Sequence, residues 1–154
     1  MQERFGRIDG LVNNAGINPA RITPEDMTRD YWRKVFAVNL EGPLRMSQCV
    51  FPIMKAQHSG SIVHIGTMAA YSGGGAICAY GSSKAALLNL TKSQATEWAQ
   101  YGIRVNILSP GPFMSEMMEG GERTAPGFFD LVANGTFQKR IADPAEIVGP
   151  VLYL

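Results

Sequence analysis

The stretch that decides the fold is Gly60-Ser61-Ile62-Val63-His64-Ile65-Gly66. Its central residues form a short and mostly apolar run, and a glycine bounds the run on each side. Such a run is typical of a strand that is buried on both faces of a parallel sheet. We therefore predict a β-strand over residues 61–65.

Two further runs of the same kind predict the neighbouring strands. They cover residues 9–14 and 103–108, and Ser109-Pro110-Gly111 ends the second. Long helical patterns over residues 28–57 and 79–100 separate the three runs. Strands that alternate with helices predict an α/β fold with right-handed crossovers and a parallel sheet.

The helix boundaries carry their own signals. Thr23-Pro24-Glu25-Asp26 is expected to cap the first helix, and Gly42-Pro43 should kink it midway. Gly102 is a stop signal for the second helix. Residues 113–137 are rich in glycine, methionine and aromatic residues, and we interpret them as a mobile lid with short helical pieces. Asp143 then caps a last helix that begins at Pro144.

Bulk properties exclude several classes of protein. The chain has 154 residues, 45% of them hydrophobic, and a net charge of +1, so neither disorder nor a nucleic-acid footprint is expected. Cys49 and Cys78 form no CxxC pair, and we expect two buried, reduced thiols. His58 and His64 show no ligand spacing, so no metal site is predicted. The N-terminus lacks a signal-peptide core, which leaves the cytoplasm as the expected compartment.

Tyr80 and Lys84 are the candidate chemical pair. They lie four residues apart near the start of a helix, so their side chains share one face. A neighbouring ammonium is expected to lower the pKa of a phenol. The pair could therefore give a proton to a carbonyl oxygen or take one from an alcohol. A solvated helix face is the alternative for this spacing.

Two polar residues could complete this site. Thr67 follows the second strand at the sheet edge where open parallel sheets bind ligands. It could orient a substrate oxygen toward Tyr80, or it could only cap a turn. Asn39 lies on an apolar helical face, where a buried amide needs partners. It could stabilise the kink, or hold a water that feeds protons toward Lys84.

Small residues at two strand ends are candidates for cofactor binding. Ala15 and Gly16 let a ligand approach the backbone closely, and Asn14 could satisfy main-chain groups across the strands, although a plain turn is also possible. Pro110-Gly111-Pro112-Phe113 could offer main-chain groups to a nicotinamide amide, and Ser115 could add a hydroxyl.

These motifs together resemble the short-chain dehydrogenases/reductases. Asn-Asn-Ala-Gly, Val-Asn-Leu, Tyr-x-x-x-Lys and Pro-Gly occur in that family's order over nearly the whole chain. The resemblance implies a partial Rossmann-like, doubly wound sheet and NAD or NADP as the cofactor. It implies catalytic roles for Asn39, Thr67, Tyr80 and Lys84, with Tyr80 and Lys84 also at the cofactor. It implies further cofactor contacts at Asn14, Ala15, Gly16, Pro110, Gly111, Phe113 and Ser115.

The sequence departs from the family pattern at two residues and by two missing segments. Thr67 stands where serine is usual, and Ser115 where threonine is common. No glycine-rich phosphate loop precedes Asn13, and the family's last strand is not found. We therefore expect residues 1–154 to form a single partial domain with unpaired sheet edges, which binds dinucleotide poorly and turns over slowly.

The expected partners are a small alcohol or carbonyl substrate and further copies of the chain. The resemblance implies a homodimer or homotetramer through the helices at 28–57 and 79–100, with neither nucleic acid nor membrane as a partner. Alternatives are a non-catalytic assembly module that uses the same helices, and a dehydratase or epimerase on the same fold. The lid residues Met114, Met117, Met118, Phe128 and Phe129 could meet an apolar substrate, although core packing is the favoured interpretation.

Overall fold

The structure is a computed structural model that describes residues 2–154, with the side chains of residues 4–154. The chain forms two compact units. The first unit reaches Ser109 and includes Leu154, and the second is Pro110–Tyr153. The expectation of one partial domain over residues 1–154 stays a prediction.

A three-stranded parallel sheet with the order β1-β2-β3 lies in the first unit. Its strands are β1 (Gly10–Asn13), β2 (Gly60–Ile65) and β3 (Ile103–Leu108). The register pairs Asn13 with His64, and His64 with Ile107. The three predicted strands and the α/β class are therefore confirmed, with β1 shorter than predicted by one residue at each end.

Four helices complete the first unit. They are α1 (Gln2–Phe5), α2 (Arg29–Phe36), α3 (Gly42–Gln57) and α4 (Cys78–Trp98), with short 3-10 turns at Met68–Ala70 and Ala99–Tyr101. The predicted kink is a π-helical turn at Ala37–Glu41, immediately before α3. Pro43 lacks the N–H that would bond to the carbonyl of Asn39 four residues earlier, which accounts for the change in winding.

The ends of the long helices only partly follow the prediction. Thr28 caps α2, because its hydroxyl accepts a hydrogen bond from the Tyr31 amide at 3.2 Å. Thr23 and Asp26 instead form a separate turn through a 3.0 Å side-chain hydrogen bond, so the expected cap at residues 23–26 was wrong. Gly102 follows α4 and its 3-10 turn with a φ of +71°, which confirms the predicted stop.

The core of the first unit packs α3 and α4 against the sheet. Its buried members come from α3, β2 and β3: Val50, Met54, Ile62, Ile103 and Val105. At its margin the Phe51 ring stacks on Trp98 with centroids 4.6 Å apart. The ammonium of Lys55 lies 4.4 Å from the centroid of the Tyr101 ring. This aromatic cluster lies far along α4 from Tyr80.

The second unit consists of short helical pieces. They are α5 (Glu116–Thr124), α6 (Phe128–Gly135), a 3-10 turn (Pro144–Ile147) and α7 (Val148–Tyr153), as the sequence predicted. Asp143 caps the 3-10 turn in a capping box with Glu146. The Arg140 guanidinium beside Glu146 holds the pKa of that carboxyl at about 2.

Two surface features bear on the sequence predictions. Cys49 and Cys78 are free thiols, but Cys49 is exposed, so the expectation of two buried thiols was wrong. Cys49 lies on the outward stripe of α3 with Arg45 and Met46. In the part of the chain that the structure describes, no helix has both the length and the apolar character needed to cross a membrane.

Candidate active site

The candidate active site lies at the carboxyl ends of β1 and β2, against the first turns of α4. Parallel strands end at one edge of the sheet, so Gly16 and Thr67, which follow β1 and β2, reach the same region. α4 contributes Tyr80 and Lys84, and the π-helical turn contributes Asn39. Asn39, Thr67, Tyr80 and Lys84 therefore come from neighbouring elements, and the contacts of each are described below.

Tyr80 is half-buried and hydrogen-bonds to Thr67. Burial raises the pKa of the phenol above 10.0, and the hydrogen bond from Thr67 acts in the opposite direction. The sequence expectation of a lowered pKa is therefore wrong for the chain alone, because burial has the larger effect. Thr67 also accepts a hydrogen bond from the Ala69 amide at 3.3 Å, so it both caps a turn and contacts the phenol.

Lys84 places its ammonium at the end of β2. Its Nζ donates a hydrogen bond to the carbonyl of Ile65 at 2.7 Å, and the residue is only 3% exposed. Burial lowers the pKa of Lys84 to about 8. The site therefore holds a cation that is close to losing its proton near neutral pH.

Asn39 is fully buried and joins the loop after β1 to α4. Its Oδ1 accepts from the Ile17 amide at 2.8 Å, and its Nδ2 donates to the Ile17 carbonyl at 2.9 Å. The second Nδ2 hydrogen goes to Ser83 Oγ at 3.1 Å. The side chain thus binds elements outside its own helix, so the suggestion that its amide stabilises the kink was wrong. The predicted water beside Asn39 stays a prediction.

Gly16 lies against the ammonium of Lys84. A Cβ on Gly16 would stand 3.3 Å from Lys84 Nζ and 3.6 Å from Asn39 Oδ1. Ala15 and Asn14 are exposed beside it. The small residues predicted for this loop therefore border the site. Their contact with a cofactor stays a prediction.

Asn13 makes a cross-strand contact through its side chain, whereas the contact predicted for Asn14 was with main-chain groups. Its Nδ2 lies 3.2 Å from His64 Nδ1 and 3.4 Å from Ser47 Oγ. Because the Asn13 amide donates, His64 Nδ1 accepts, and the hydrogen on Nε2 points to Gln94 Oε1 at 2.9 Å. Sequence reasoning missed this buried polar chain. The only signal was the alignment of a polar residue at the same level in two strands.

His64 is a neutral structural histidine at the centre of that chain. It is fully buried, and burial is the main cause that lowers its pKa from 6.5, with a smaller contribution from the charge of Lys84. Both ring nitrogens have side-chain partners, as a satisfied histidine requires. Within residues 4–154, no group of three potential ligand side chains that could hold a metal ion is present.

A cavity of about 360 Å³ lies beside the site. Residues 69–74 line it together with Ile77, Cys78, Gly81, Ser82 and Ala85. Cys78, Ser82 and Ala85 form one stripe of α4, whereas Tyr80 and Lys84 form another. The cavity is therefore next to the candidate catalytic residues without including them.

The predicted residues of the second unit occupy defined backbone positions. Phe113 forms a bridge with Ala142, and the carbonyl of Pro112 accepts from the Ala142 amide at 3.0 Å. Ser115 caps α5 through a 3.3 Å hydrogen bond from the Met118 amide. Contacts of Pro110, Gly111, Phe113 and Ser115 with a nicotinamide stay predictions.

Several proteins have sequences that are similar to this one. A family model described as enoyl-(acyl carrier protein) reductase matches residues 1–154. A short chain dehydrogenase of Penicillium rubens is 40% identical over 122 residues, covering 79% of this chain and 48% of its own. An uncharacterized oxidoreductase of Thermotoga maritima is 39% identical over 154 residues, covering 98% of this chain and 61% of its own. The chain thus spans roughly half of these relatives.

Solved structures share its fold. A gluconate 5-dehydrogenase from Burkholderia cenocepacia in complex with NADP and tartrate superposes with a TM-score of 0.93 at 33% identity, over 99% of this chain and 59% of that one. An NAD+-bound xylitol dehydrogenase gives a TM-score of 0.90 at 31% identity, over 99% of this chain and 64% of that one. These matches confirm the Rossmann-like class. With the motifs and the family model, they show that this chain belongs to the short-chain dehydrogenase/reductase family.

Proposed function

We propose that this chain carries the proton-transfer site of a nicotinamide-dependent oxidoreductase that acts on an alcohol/carbonyl pair. The observation that carries the proposal is the hydrogen bond between Thr67 and the Tyr80 phenol, with the buried ammonium of Lys84 one helical turn further along α4. The hydroxyl of Thr67, the phenol of Tyr80 and the ammonium of Lys84 thus lie at the edge of the sheet where ligands bind in α/β folds.

Tyr80 acts in this proposal as the general acid and base. Because burial keeps its pKa above the ordinary value, the phenol holds its proton at neutral pH and is suited to protonate a carbonyl oxygen during reduction. Oxidation of an alcohol requires the phenolate, so its rate should rise with pH. Thr67 donates to the same oxygen and orients it toward the phenol.

The residues around Lys84 fit the ribose of a dinucleotide. Lys84 Nζ uses one of its three hydrogens for Ile65, which leaves two for ribose hydroxyls. Glycine at position 16 leaves space next to that ammonium, where a Cβ would stand 3.3 Å from Nζ. A bound NAD or NADP would supply the hydride chemistry, and we propose either one, since the related structures include one with NAD+ and one with NADP.

We also propose that the chain associates with further copies of itself through α2, α3 and α4. Large apolar side chains are exposed on the first two of these helices, with Trp32 38% and Met46 48% exposed. The proposal of a homodimer or homotetramer otherwise rests on the family. Size measurement by light scattering tests it, and a monomer at every concentration would contradict it.

The test of the proposed function uses a completed chain, defined as this chain joined to the flanking segments of the Thermotoga maritima relative. Tyr80→Phe removes only the hydroxyl, and we expect turnover with NADH or NADPH to fall by at least about 10²-fold while the melting temperature stays the same. Tyr101→Phe, in the aromatic cluster far along the chain from Tyr80, is the matched control. Unchanged turnover in Tyr80→Phe would refute the proposal.

Product analysis separates this reaction from the alternatives. A deuterium label on the nicotinamide should appear on carbon in the product of a net reduction. A dehydratase or epimerase would give product without net transfer of the label. An intact fold with neither reaction would favour the non-catalytic assembly module.

A further inference from the structure

A buried serine connects Asn39 to the helix that carries the proposed catalytic pair. Ser83 Oγ accepts a hydrogen bond from Asn39 Nδ2 at 3.1 Å and donates one to the Tyr80 carbonyl at 2.7 Å. Ser83 and Asn39 are both fully buried. We propose that Ser83 is a positioning residue, which fixes the loop after β1 against the Lys84 ammonium by locking the amide of Asn39. The proposal rests on the proposed function.

The hydrogen bonds in this cluster have one consistent direction. Asn39 Oδ1 accepts from the Ile17 amide, while the two Nδ2 hydrogens go to the Ile17 carbonyl and to Ser83. A flipped amide would face donor with donor at Ile17 and acceptor with acceptor at its carbonyl. Ser83 supplies the acceptor for the second hydrogen, and alanine at this position would leave that hydrogen buried and unpaired.

The loop held by Asn39 forms the wall beside the ammonium. Ile17 follows Gly16, whose Cβ position lies 3.3 Å from Lys84 Nζ. A shift of Ile17 therefore moves the backbone that shields this cation from water. Ser83 acts on Lys84 through Asn39 and the loop, without touching the ammonium itself.

A looser loop should be visible in the titration of the lysine. Burial holds the pKa of Lys84 at about 8, and access of water would bring it back toward the ordinary value of 10.5. In Ser83→Ala we expect the Lys84 amine resonance, followed by NMR, to titrate about one pH unit higher. The amide of Ile17 should also exchange with solvent at least about tenfold faster.

Ser82→Ala is the matched control, because Ser82 is the exposed serine next to Ser83. Ser83→Thr keeps the hydroxyl and should restore the wild-type titration. If Ser83→Ala does not fold, Ser83→Cys offers a weak acceptor and should give an intermediate shift. A Ser83 variant that matches Ser82→Ala in both measurements would overturn the proposal. Equal acceleration of exchange at Ile17 and throughout β3 would overturn it too, since that reports general destabilisation.

Neither measurement requires turnover, so this inference can fail separately from the proposed function. In the completed chain, Ser83→Ala should lower kcat/KM at neutral pH at least about tenfold, as a displaced catalytic group does. Its pH profile should move with the Lys84 titration. If Ser83→Ala loses turnover and Tyr80→Phe retains it, the catalytic role of Tyr80 is refuted, whereas the positioning role of Ser83 is not.

Discussion

At the scale of single residues, the buried ammonium of Lys84 lowers the stability of the fold. Its ammonium is almost completely removed from water and has one carbonyl partner, Ile65. No carboxylate contacts this cation among the ion pairs of the described residues. Such a charge costs stability, and the proposed role of Lys84 at the site would give a reason for keeping it.

Replacing Lys84 should therefore stabilise the chain. Its folded-state pKa of about 8 lies below the ordinary 10.5, so the unfolded chain binds more protons between these values and the free energy of unfolding rises with pH across this window. At pH 7, Lys84→Met should unfold at a free energy about 2 kcal/mol higher, after allowing for the lost hydrogen bond. This advantage should shrink from pH 8 to 10.5 in urea titrations.

Lys92→Met is the control for that comparison, because Lys92 is exposed on the same helix. It should change the free energy of unfolding little at any pH. Equal behaviour of the two variants would show that Lys84 is not buried as a cation.

His64 should make the chain sensitive to acid. Its folded-state pKa is lowered from 6.5 by burial, so below about pH 6.5 the unfolded chain takes up a proton that the folded chain resists, and stability falls as the pH falls. Lys84 is the charged neighbour that opposes a second positive charge there. Between pH 7 and 5, wild type should lose more free energy of unfolding than His64→Gln. His58→Gln, at an exposed histidine, is the control, and it should lose as much free energy of unfolding over this range as wild type. An equal loss in wild type and His64→Gln would contradict the prediction.

At the scale of the elements, the site depends on how helices begin, change winding and end. Glycine at position 102 is an example. It has a φ of +71°, and a Cβ there would collide with the carbonyl oxygen of His58. The backbone at Gly102, between α4 and β3, therefore lies directly against the backbone of His58, and no residue with a Cβ fits at this position.

Gly102→Ala should destabilise the first unit by about 2–4 kcal/mol, from left-handed strain and from the backbone contact together. Gly6→Ala provides the control, because Gly6 also has a positive φ of +69° but nothing within 4 Å. It carries the strain without the contact, so about 1 kcal/mol is expected. Equal losses in urea unfolding would show that the contact with His58 is unimportant.

The sequence predicted the elements well where one local cause decides them. Apolar runs between glycines determined β2, and the missing N–H of Pro43 determined the change of winding. Partners at a distance could not be predicted. Nothing in the spacing shows that Asn39 binds Ile17, that Ser83 accepts from it, or that Asn13 rather than Asn14 faces the next strand. The balance between burial and the Thr67 hydrogen bond at Tyr80 also needs coordinates, because it depends on how deeply the phenol lies.

At the scale of the whole chain, the sheet has two outer edges. β1 and β3 each pair with β2, and the described residues supply no strand at their outer sides. Val12 of β1 is 49% exposed. Unpaired edges with apolar side chains favour association through added strands.

The 154-residue chain should therefore form larger species as its concentration rises. Val12→Lys places a charge at the edge and should lower the average mass seen by light scattering. Val148→Lys is the matched control, since Val148 is 52% exposed on α7 rather than on the sheet. An equal reduction by both variants would contradict a sheet-edge origin.

The stacking of Trp98 on Phe51 has a consequence for the tryptophan fluorescence of the chain. Trp98 lies eighteen positions after Tyr80 in α4, a rise of about 27 Å. Trp32, the second tryptophan of the sequence, stacks instead on Phe36 next to the π-helical turn. Emission from the two indoles can thus be assigned with one Trp→Phe variant of each. Quenching that is confined to Trp32 would then report events next to the π-helical turn that carries Asn39, while Trp98 would follow the melting of the core.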